Sequence, residues 1–279
     1  MNPRQFHATM RPTPKSQLLS QAVLNFSVRG KVARSVLPLH GVILLVGAPG
    51  TGKTSLARGL ANRTAQSLKG KSFNFLEVEP HSLTSSAMGK TQRAVSELFS
   101  QSIAEAAASG PTIVLLDEAE TLAADRSRMS LEANPIDIHR ATDAVLVQLD
   151  ALAERYPMLL FLATSNFPQA IDSAFTSRCD LILTVPIPNH DACRRILEDC
   201  LIGLGKIYPA IGGLTKSPGF DRCVLEFVGL DGRAIRKTVA NALASTPQTA
   251  LDPNQITIEN LISAASSARV NRSRKAEEP

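Results

Sequence analysis

The feature that most constrains this chain is the glycine-rich motif GAPGTGKT at positions 47–54. It matches the pattern G-x-x-x-x-G-K-[S/T], and it stands between the apolar run VILLV and the helical pattern from Ser55 to Leu68. Glycines let a backbone close around phosphate oxygens, while the N-terminus of the following helix presents free N–H groups and a positive dipole end. The motif therefore predicts a phosphate-binding loop between a strand and a helix.

Two side chains of this motif have individual roles in the prediction. We expect Lys53 to supply a positive charge to the β- and γ-phosphates of a nucleoside triphosphate, and the Thr54 hydroxyl to ligate Mg²⁺. ATP and Mg²⁺ are therefore the expected ligands. The residues predicted to surround the phosphates are Gly47, Pro49, Gly50, Thr51, Gly52, Lys53, Thr54 and Ser55.

A second motif, an apolar run followed by paired carboxylates, occupies Ile113 to Glu118. A buried strand of this kind delivers its acids to the carboxyl edge of an open α/β sheet, where ligands bind. We expect Asp117 to hold the metal and Glu118 to orient or deprotonate the attacking water. Taken alone, the pattern fits a strand that ends in a solvated turn equally well. Its combination with the 47–54 motif favours catalysis.

A third candidate is Asn166, which follows the apolar run LLFLAT from position 159. A neutral amide at a strand end can hydrogen-bond a phosphate or a water without adding charge. The alternative is an ordinary turn, in which Asn is also common.

Five β-rich apolar runs, which begin at positions 42, 73, 112, 159 and 181, alternate with helical patterns. This alternation predicts a parallel sheet covered by helices. After PIPNHD at 186 only helical patterns remain, so we expect a domain boundary there. The predicted divisions are a partly disordered N-terminal extension at 1–40, an α/β nucleotide-binding domain at 41–188, a helical domain at 189–270 and a charged tail at 271–279. Residues 1–17 and the tail are expected to be loose.

Composition narrows the possible partners and compartments. The formal net charge of +5 leaves a nucleic-acid partner open, although much of the basic excess lies in the chain ends and fits solvated tails as well. The apolar runs are far shorter than the roughly 20 residues that a membrane-spanning helix needs, and the N-terminus lacks the apolar stretch of a secretory signal. We therefore expect no membrane association and a cytoplasmic location.

Taken together, these motifs resemble the AAA+ ATPases over about residues 41–265. The resemblance implies a P-loop AAA+ α/β fold, with a parallel five-stranded sheet sandwiched by helices and followed by a small all-helical lid domain. Within AAA+, the chain is most similar to the pachytene-checkpoint or TRIP-thirteen ATPases, which remodel HORMA-domain proteins, and to their bacterial members that lack a separate N-terminal domain. The segments that carry this similarity are HSL at 81, LLDEAETLAADR at 115, NPIDIHRATDAVLVQLD at 134, ATSNFPQAIDSAFTSRCD at 163 and GLDGRAIRK at 229.

The resemblance implies roles for three further positions. Asn166 resembles the sensor-one residue, and Arg178 resembles the arginine finger that reaches the ATP of a neighbouring subunit in a homo-hexamer. Many members carry two such arginines and a Phe where this chain has Cys179. Arg233 resembles the sensor-two arginine of the lid, a role for which Arg236 and Lys237 are the alternatives.

The central-channel loop is the main departure from the family pattern. Its alignment to Ser85–Gly89 places Ala87 where an aromatic residue usually grips the substrate, and leaves Met88 as the apolar contact. Met can still grip weakly, or it can pack within its own domain. The alanine favours brief pulling of one segment over sustained threading.

Three functions are compatible with these observations. The resemblance favours an ATPase that remodels a HORMA-domain partner and so regulates bacterial cyclic-nucleotide antiviral signalling of the CBASS type. A nucleic-acid-associated AAA+ ATPase, such as a loader or transposition helper, is the alternative that the basic charge supports. A nucleotide-dependent scaffold with little hydrolysis is the third, and the presence of Glu118 and Arg178 speaks against it.

Overall fold

The computed structural model of the chain describes residues 13–68, 72–79, 90–124 and 135–277; for 90, 91, 135–141 and 273–277 it describes the backbone alone. The chain divides into two compact units. The first comprises Met1–Gly47 and Lys53–Thr184, and the second comprises Ala48–Gly52 and Val185–Pro279. The boundary at 188/189 that the sequence suggests stays a prediction.

The first unit is built around a five-stranded sheet in which every pair of neighbouring strands is parallel, in the order β2-β3-β4-β1-β5. The strands are β1 (Val42–Val46), β2 (Asn74–Val78), β3 (Thr112–Leu116), β4 (Leu159–Ser165) and β5 (Leu181–Thr184). Each of the five apolar runs forms one of them, so this part of the sequence prediction is confirmed.

The position of each strand in the sheet follows from its sequence. The three central strands β1, β3 and β4 are buried along their whole length, as expected for continuous apolar runs covered on both faces. The edge strands β2 and β5 instead alternate between less and more exposed residues. The central strands therefore carry the core of the unit, and their carboxyl ends meet at one edge.

The described ranges of the first unit contain six α-helices, and the largest cover the sheet. The helices are α1 (Pro14–Val28), α2 (Lys53–Ser67), α3 (Lys90–Glu97), α4 (Ala104–Ser109), α5 (Pro135–Arg155) and α6 (Ser173–Thr176). A π-helical stretch, Leu98–Ile103, joins α3 to α4 and buries Phe99, whose ring stacks on that of Phe161 in β4. Val95 of α3 and Val145 and Leu149 of α5 are buried in the same core as the strands, as expected for helices that cover a sheet.

Helix α1 corrects the expectation that residues up to 17 form a loose end, because it begins at Pro14. The side-chain hydroxyl of Thr13 caps the helix, because it accepts a hydrogen bond from the backbone N–H of Ser16 at 3.2 Å. Leu18, Ala22 and Phe26, spaced four residues apart, are buried on one face. Burial of these three side chains stabilises α1, although the residues before it are polar and rich in proline.

The described part of the second unit is helical, with no strand between Val185 and Glu277. Its helices are α7 (His190–Gly205), α8 (Pro209–Gly213), α9 (Phe220–Phe227), α10 (Gly232–Leu243), α11 (Pro247–Leu251) and α12 (Ile258–Glu277). Leu197, Phe227, Val239 and Leu261 are buried in a common core. Because α12 continues through Glu277, the prediction that residues 271–277 are loose was wrong.

None of the helices in the described ranges is long and apolar enough to cross a membrane.

Candidate functional site

The carboxyl ends of β1, β4 and β3 lie side by side and bring the predicted site residues together. The β1–β4 pairing runs to Val46 opposite Ser165, and the β4–β3 pairing runs to Leu116 opposite Ala163. The 47–54 loop leaves the sheet directly after β1, while the paired carboxylates follow β3 and Asn166 follows β4. Three segments distant in sequence therefore converge at one edge, the usual ligand edge of an open α/β sheet.

Lys53 is the first residue of α2 and one of the few charged side chains buried in the described structure, with 5% exposure. Its ammonium donates to the carbonyl of Gly47 at 2.8 Å and to Oδ1 of Asn166 at 2.7 Å. Burial of a lysine ammonium lowers the stability of the folded protein unless its N–H groups have hydrogen-bond acceptors. These two acceptors hold the charge between the loop and the end of β4, where phosphate oxygens are expected.

We predict that Lys53→Ala weakens ATP binding by about tenfold to a hundredfold, the value of one charge-assisted hydrogen bond. Titration with a fluorescent ATP analogue measures the dissociation constant directly. Lys206→Ala, which truncates an exposed lysine of the second unit, is the matched control and should bind like the parent. Equal affinity of Lys53→Ala and the parent would exclude the proposed lysine contact.

Thr54 and Asp117 meet across the gap between α2 and β3. The Thr54 hydroxyl donates to Oδ1 of Asp117 at 2.9 Å and lies 3.2 Å from Oδ2. A hydroxyl and a carboxylate are hard oxygen ligands of the kind that Mg²⁺ takes together with substrate phosphates. Elsewhere in the described residues, no group of three His, Cys, Asp or Glu side chains could hold a metal by itself. The donor set therefore fits Mg²⁺ that is bound jointly with a nucleotide.

Thr164 is a site residue for which the sequence motifs predict no role. It is buried in β4, its hydroxyl donates to Oδ1 of Asp117, and it accepts the backbone N–H of Glu118 at 3.2 Å. One hydroxyl thus orients both residues of the carboxylate pair. No local sequence pattern connects it to Asp117 and Glu118, which lie 47 and 46 positions away in the chain.

We expect Thr164→Val to lower kcat for ATP hydrolysis about tenfold, because the near-isosteric side chain leaves the Glu118 N–H without its acceptor and removes one of the two hydroxyls that donate to Oδ1 of Asp117. Thr164→Ser keeps the hydroxyl and should retain most of the turnover. Steady-state phosphate release, with thermal melting as a check on folding, compares the two. Parental turnover in Thr164→Val would show that the hydroxyl is dispensable.

Glu118 adopts a left-handed backbone conformation, with φ 54° and ψ 53°. It is the one non-glycine residue with positive φ in the described ranges. Such a conformation costs of order 1–3 kcal/mol in a residue with a side chain, and it concentrates at functional sites. The bend lets the chain turn into the short 3₁₀ helix Ala119–Thr121 directly after the strand.

Asn166 bridges the lysine and the carboxylate. Its Oδ1 accepts from Lys53, and its Nδ2 donates to Oε1 of Glu118 at 3.2 Å. The two contacts fix the amide orientation, because only the oxygen can face the ammonium and only the nitrogen can face the carboxylate. The amide therefore lies where it can sense a group bound between Lys53 and Glu118.

Arg178 follows α6, and its hydrogen-bond partners are residues of α5 and α6. Its Nε and Nη2 donate to the two carboxylate oxygens of Asp150 at 3.0 and 2.6 Å, and its Nη1 donates to the carbonyl of Ala174 at 2.7 Å. The hydrogen bond to Asp150 raises the pKa of Arg178, and the same bond lowers the pKa of Asp150. This bidentate pair of hydrogen bonds fixes the orientation of the guanidinium plane.

The tip of the 47–54 loop belongs to the second unit. Thr51 donates from its N–H and its hydroxyl to the carbonyl of Ala48 at 3.4 and 2.9 Å. Gly50 has φ +79°, and a Cβ there would collide with the carboxylate of Asp231, so only glycine fits. The carbonyl of Gly50 accepts the N–H of Gly232 at 3.0 Å.

Arg233 is an exposed residue in the first turn of α10. Asp231 caps this helix by accepting the N–H groups of Arg233 and Ala234 at 3.1 and 2.9 Å. A Cβ built on Gly50 would lie 3.3 Å from the Cβ of Arg233, which places this arginine beside the loop tip. Arg236, the alternative, donates to the carbonyl of Gly232 at 3.2 Å.

The channel-loop residues Ala87 and Met88 lie outside the described residues, and their role stays a prediction.

Comparison with known proteins shows which family the chain belongs to. The family model "ATPase family associated with various cellular activities (AAA)" matches residues 43–187. The chain is 70% identical to CD-NTase-associated protein 6 of Pseudomonas aeruginosa, over 92% of this chain and 85% of that protein. It is 37% identical to the pachytene checkpoint protein 2 homolog of Gallus gallus, over 80% of this chain and 57% of that longer protein.

Solved structures show the same fold. C. elegans PCH-2 superposes with a TM-score of 0.68 at 27% identity, covering 93% of this chain and 68% of that one. The E. coli MS115-1 HORMA:CdnC:Trip13 complex contains a chain that superposes with a TM-score of 0.67 at 21% identity, covering 91% and 86%. The fold class expected from the sequence is confirmed. This chain belongs to the AAA family of ATPases and is a relative of CD-NTase-associated protein 6 and of the pachytene checkpoint proteins.

Proposed function

We propose that this protein uses ATP hydrolysis to bind and partially unfold or disassemble a HORMA-domain partner, and that it thereby regulates bacterial cyclic-nucleotide antiviral signalling. The observation that carries the proposal is the convergence of Lys53, Asn166 and Glu118 through two hydrogen bonds at the strand ends. Similarity to CD-NTase-associated protein 6 over most of both chains supports the signalling context. Similarity to pachytene checkpoint proteins supports the HORMA partner.

The residues at the strand ends divide the work of hydrolysis in this proposal. Lys53 orients the β- and γ-phosphates, and Glu118 accepts the proton of the attacking water while Asn166 holds the carboxylate in place. Mg²⁺, held by Thr54 and Asp117, would neutralise charge on the phosphates. Arg233 at the start of α10 would let the helical unit respond to loss of the γ-phosphate.

Arg178 makes assembly part of the proposal. A guanidinium has five N–H donors, and the hydrogen bonds to Asp150 and Ala174 use three of them. The remaining donors on Nη1 and Nη2 can face an anion that a neighbouring subunit holds. A homo-hexameric ring would place each Arg178 at the ATP of the next subunit, so that turnover depends on assembly.

The same ring would present the segment with Ala87 and Met88 to the partner protein. With alanine at the usual aromatic position, we propose short pulls on one segment of the HORMA-domain protein. Partial unfolding is enough to dissociate a complex that depends on that segment.

Two of the basic residues near the C-terminus already have partners within the chain. Arg269 pairs with Glu226 at 3.1 Å, and Arg272 donates to the carbonyl of Gly229 at 3.1 Å and to Asp231 at 3.3 Å. Such pairs reduce the positive charge that is available to phosphate groups of a nucleic acid. The basic composition is therefore weak support for the nucleic-acid alternative.

Steady-state ATP turnover of the full chain tests the proposal. We expect a purified HORMA-domain protein to stimulate turnover to saturation, and duplex DNA to leave it unchanged between low and moderate salt.

Affinity capture with Glu118→Gln in the presence of ATP should retain the same HORMA-domain protein. Stimulation by DNA that falls steeply with salt, without any effect of the HORMA-domain protein, would instead establish the nucleic-acid function.

A further inference from the structure

The main-chain pairing of β3 and β4 ends just before the site residues begin. The last registered pair is Leu116 with Ala163, whereas Asp117, Glu118 and Asn166 lie beyond it. Past the end of a ladder, neighbouring strands have no main-chain hydrogen bonds to keep them in register. Each end is still held on its other side, by the β1–β4 pairing as far as Ser165 and by the N–H of Asp117, which donates to the carbonyl of Val78 at 3.4 Å. Direct hydrogen bonds between the two ends therefore involve side chains.

Two hydrogen bonds between a side chain and the backbone connect the ends of β3 and β4. In one the backbone donor follows β3, and in the other it follows β4. The N–H of Glu118, after β3, donates to the hydroxyl of Thr164 in β4 at 3.2 Å. The N–H of Asn166, after β4, donates to Oε1 of Glu120, after β3, at 3.1 Å. Each strand end thus supplies a backbone donor to the other and receives one, in a reciprocal clamp formed by Thr164 and Glu120.

We propose that Glu120 is a positioning residue for ATP hydrolysis, which holds Asn166 through its backbone N–H and so keeps the Asn166 amide between Lys53 and Glu118. This inference rests on the proposed function of the site. The left-handed conformation of Glu118 makes the clamp possible, because it turns the chain so that Glu120 comes back to the end of β4.

The second carboxylate oxygen of Glu120 takes no part in this contact. Oε2 is buried and has no hydrogen-bond partner in the described structure, so the clamp uses Oε1 alone. A backbone N–H needs an acceptor oxygen, which a carboxylate and an amide supply equally. The positioning role therefore requires an acceptor oxygen in the side chain of residue 120, and it does not require a negative charge there.

Two substitutions at this position separate the possibilities. Glu120→Ala removes the acceptor and should lower kcat about tenfold, while the dissociation constant for ATP stays within about twofold of the parent. Glu120→Gln keeps an acceptor oxygen and should retain kcat within about twofold. By contrast, Glu118→Gln, the same chemical change two residues away, should abolish most turnover. Melting temperatures of all variants verify that they fold.

A double-substitution cycle tests whether Glu120 acts through Asn166. If it does, Glu120→Ala on top of Asn166→Ala causes no further loss of kcat. The inference is overturned if Glu120→Gln is as impaired as Glu120→Ala, if Glu120→Ala changes only the melting temperature, or if the two losses multiply. If Asn166→Ala hydrolyses ATP like the parent, the proposed site itself fails and this inference fails with it, which the Asn166 variant alone reveals.

Discussion

Arg178→Ala should lower kcat by about 10³- to 10⁵-fold while the affinity for ATP stays near that of the parent. An arginine supplied by a neighbouring subunit offsets charge that develops on the transferred phosphoryl group, and this contribution is made in the transition state only. Arg178→Lys should lose most of the same activity, since an ammonium cannot replace the fork that Asp150 orients. Steady-state turnover and ATP titration measure the two parts separately.

A mixing experiment shows whether the arginine acts on a neighbouring subunit. Arg178→Ala chains keep an intact ATP site, and Lys53→Ala chains keep an intact arginine, so mixed assemblies should recover part of the turnover that each variant lacks. Arg195→Ala, which truncates an exposed arginine of α7, is the control and should hydrolyse ATP normally. Absence of recovery in the mixture, with both variants assembled, would place the arginine's effect within its own subunit.

Glu118→Gln should lower kcat about 10²- to 10⁴-fold, the range for loss of a general base, with ATP binding retained. The amide keeps the size of the side chain and an oxygen that can accept from Nδ2 of Asn166, so the site stays assembled. Bound ATP should then persist and hold the protein in its assembled state. Rapid filtration measures nucleotide retention, and light scattering measures the size of the assembly.

Glu154→Gln is a suitable control for this substitution, because it removes the same charge from an exposed position of α5. It should leave turnover unchanged. Parental turnover in Glu118→Gln would contradict the assignment of the base, and loss of ATP binding in that variant would indicate that the carboxylate supports the site structurally.

Much of this fold was predictable because local sequence patterns determined it. The apolar runs at β1, β3 and β4 are continuous because both faces of these strands are covered, and the glycine-rich loop has a pattern that few other structures produce. Helix α1 was not predicted, because its buried stripe of Leu18, Ala22 and Phe26 begins directly after a polar, proline-rich stretch. The polar residues before the helix suggested disorder more strongly than three apolar residues at helical spacing suggested a helix.

The supporting residues of the site were not predictable, because their roles arise from contacts between distant segments. Thr164 meets Glu118 across 46 positions, and Asp150 meets Arg178 across 28. No spacing rule connects such pairs. The left-handed backbone of Glu118 was equally hidden, since its residue type disfavours that conformation.

The central claim is that the amides of the 47–54 loop surround a triphosphate whose metal lies between Thr54 and Asp117. An experimental structure of Glu118→Gln with ATP and Mg²⁺ tests it most directly. We predict phosphate oxygens against the loop amides, with Lys53 on the β- and γ-phosphates and Mg²⁺ ligated through the Thr54 hydroxyl within reach of Asp117. A nucleotide bound elsewhere, or a metal remote from both residues, would contradict the account.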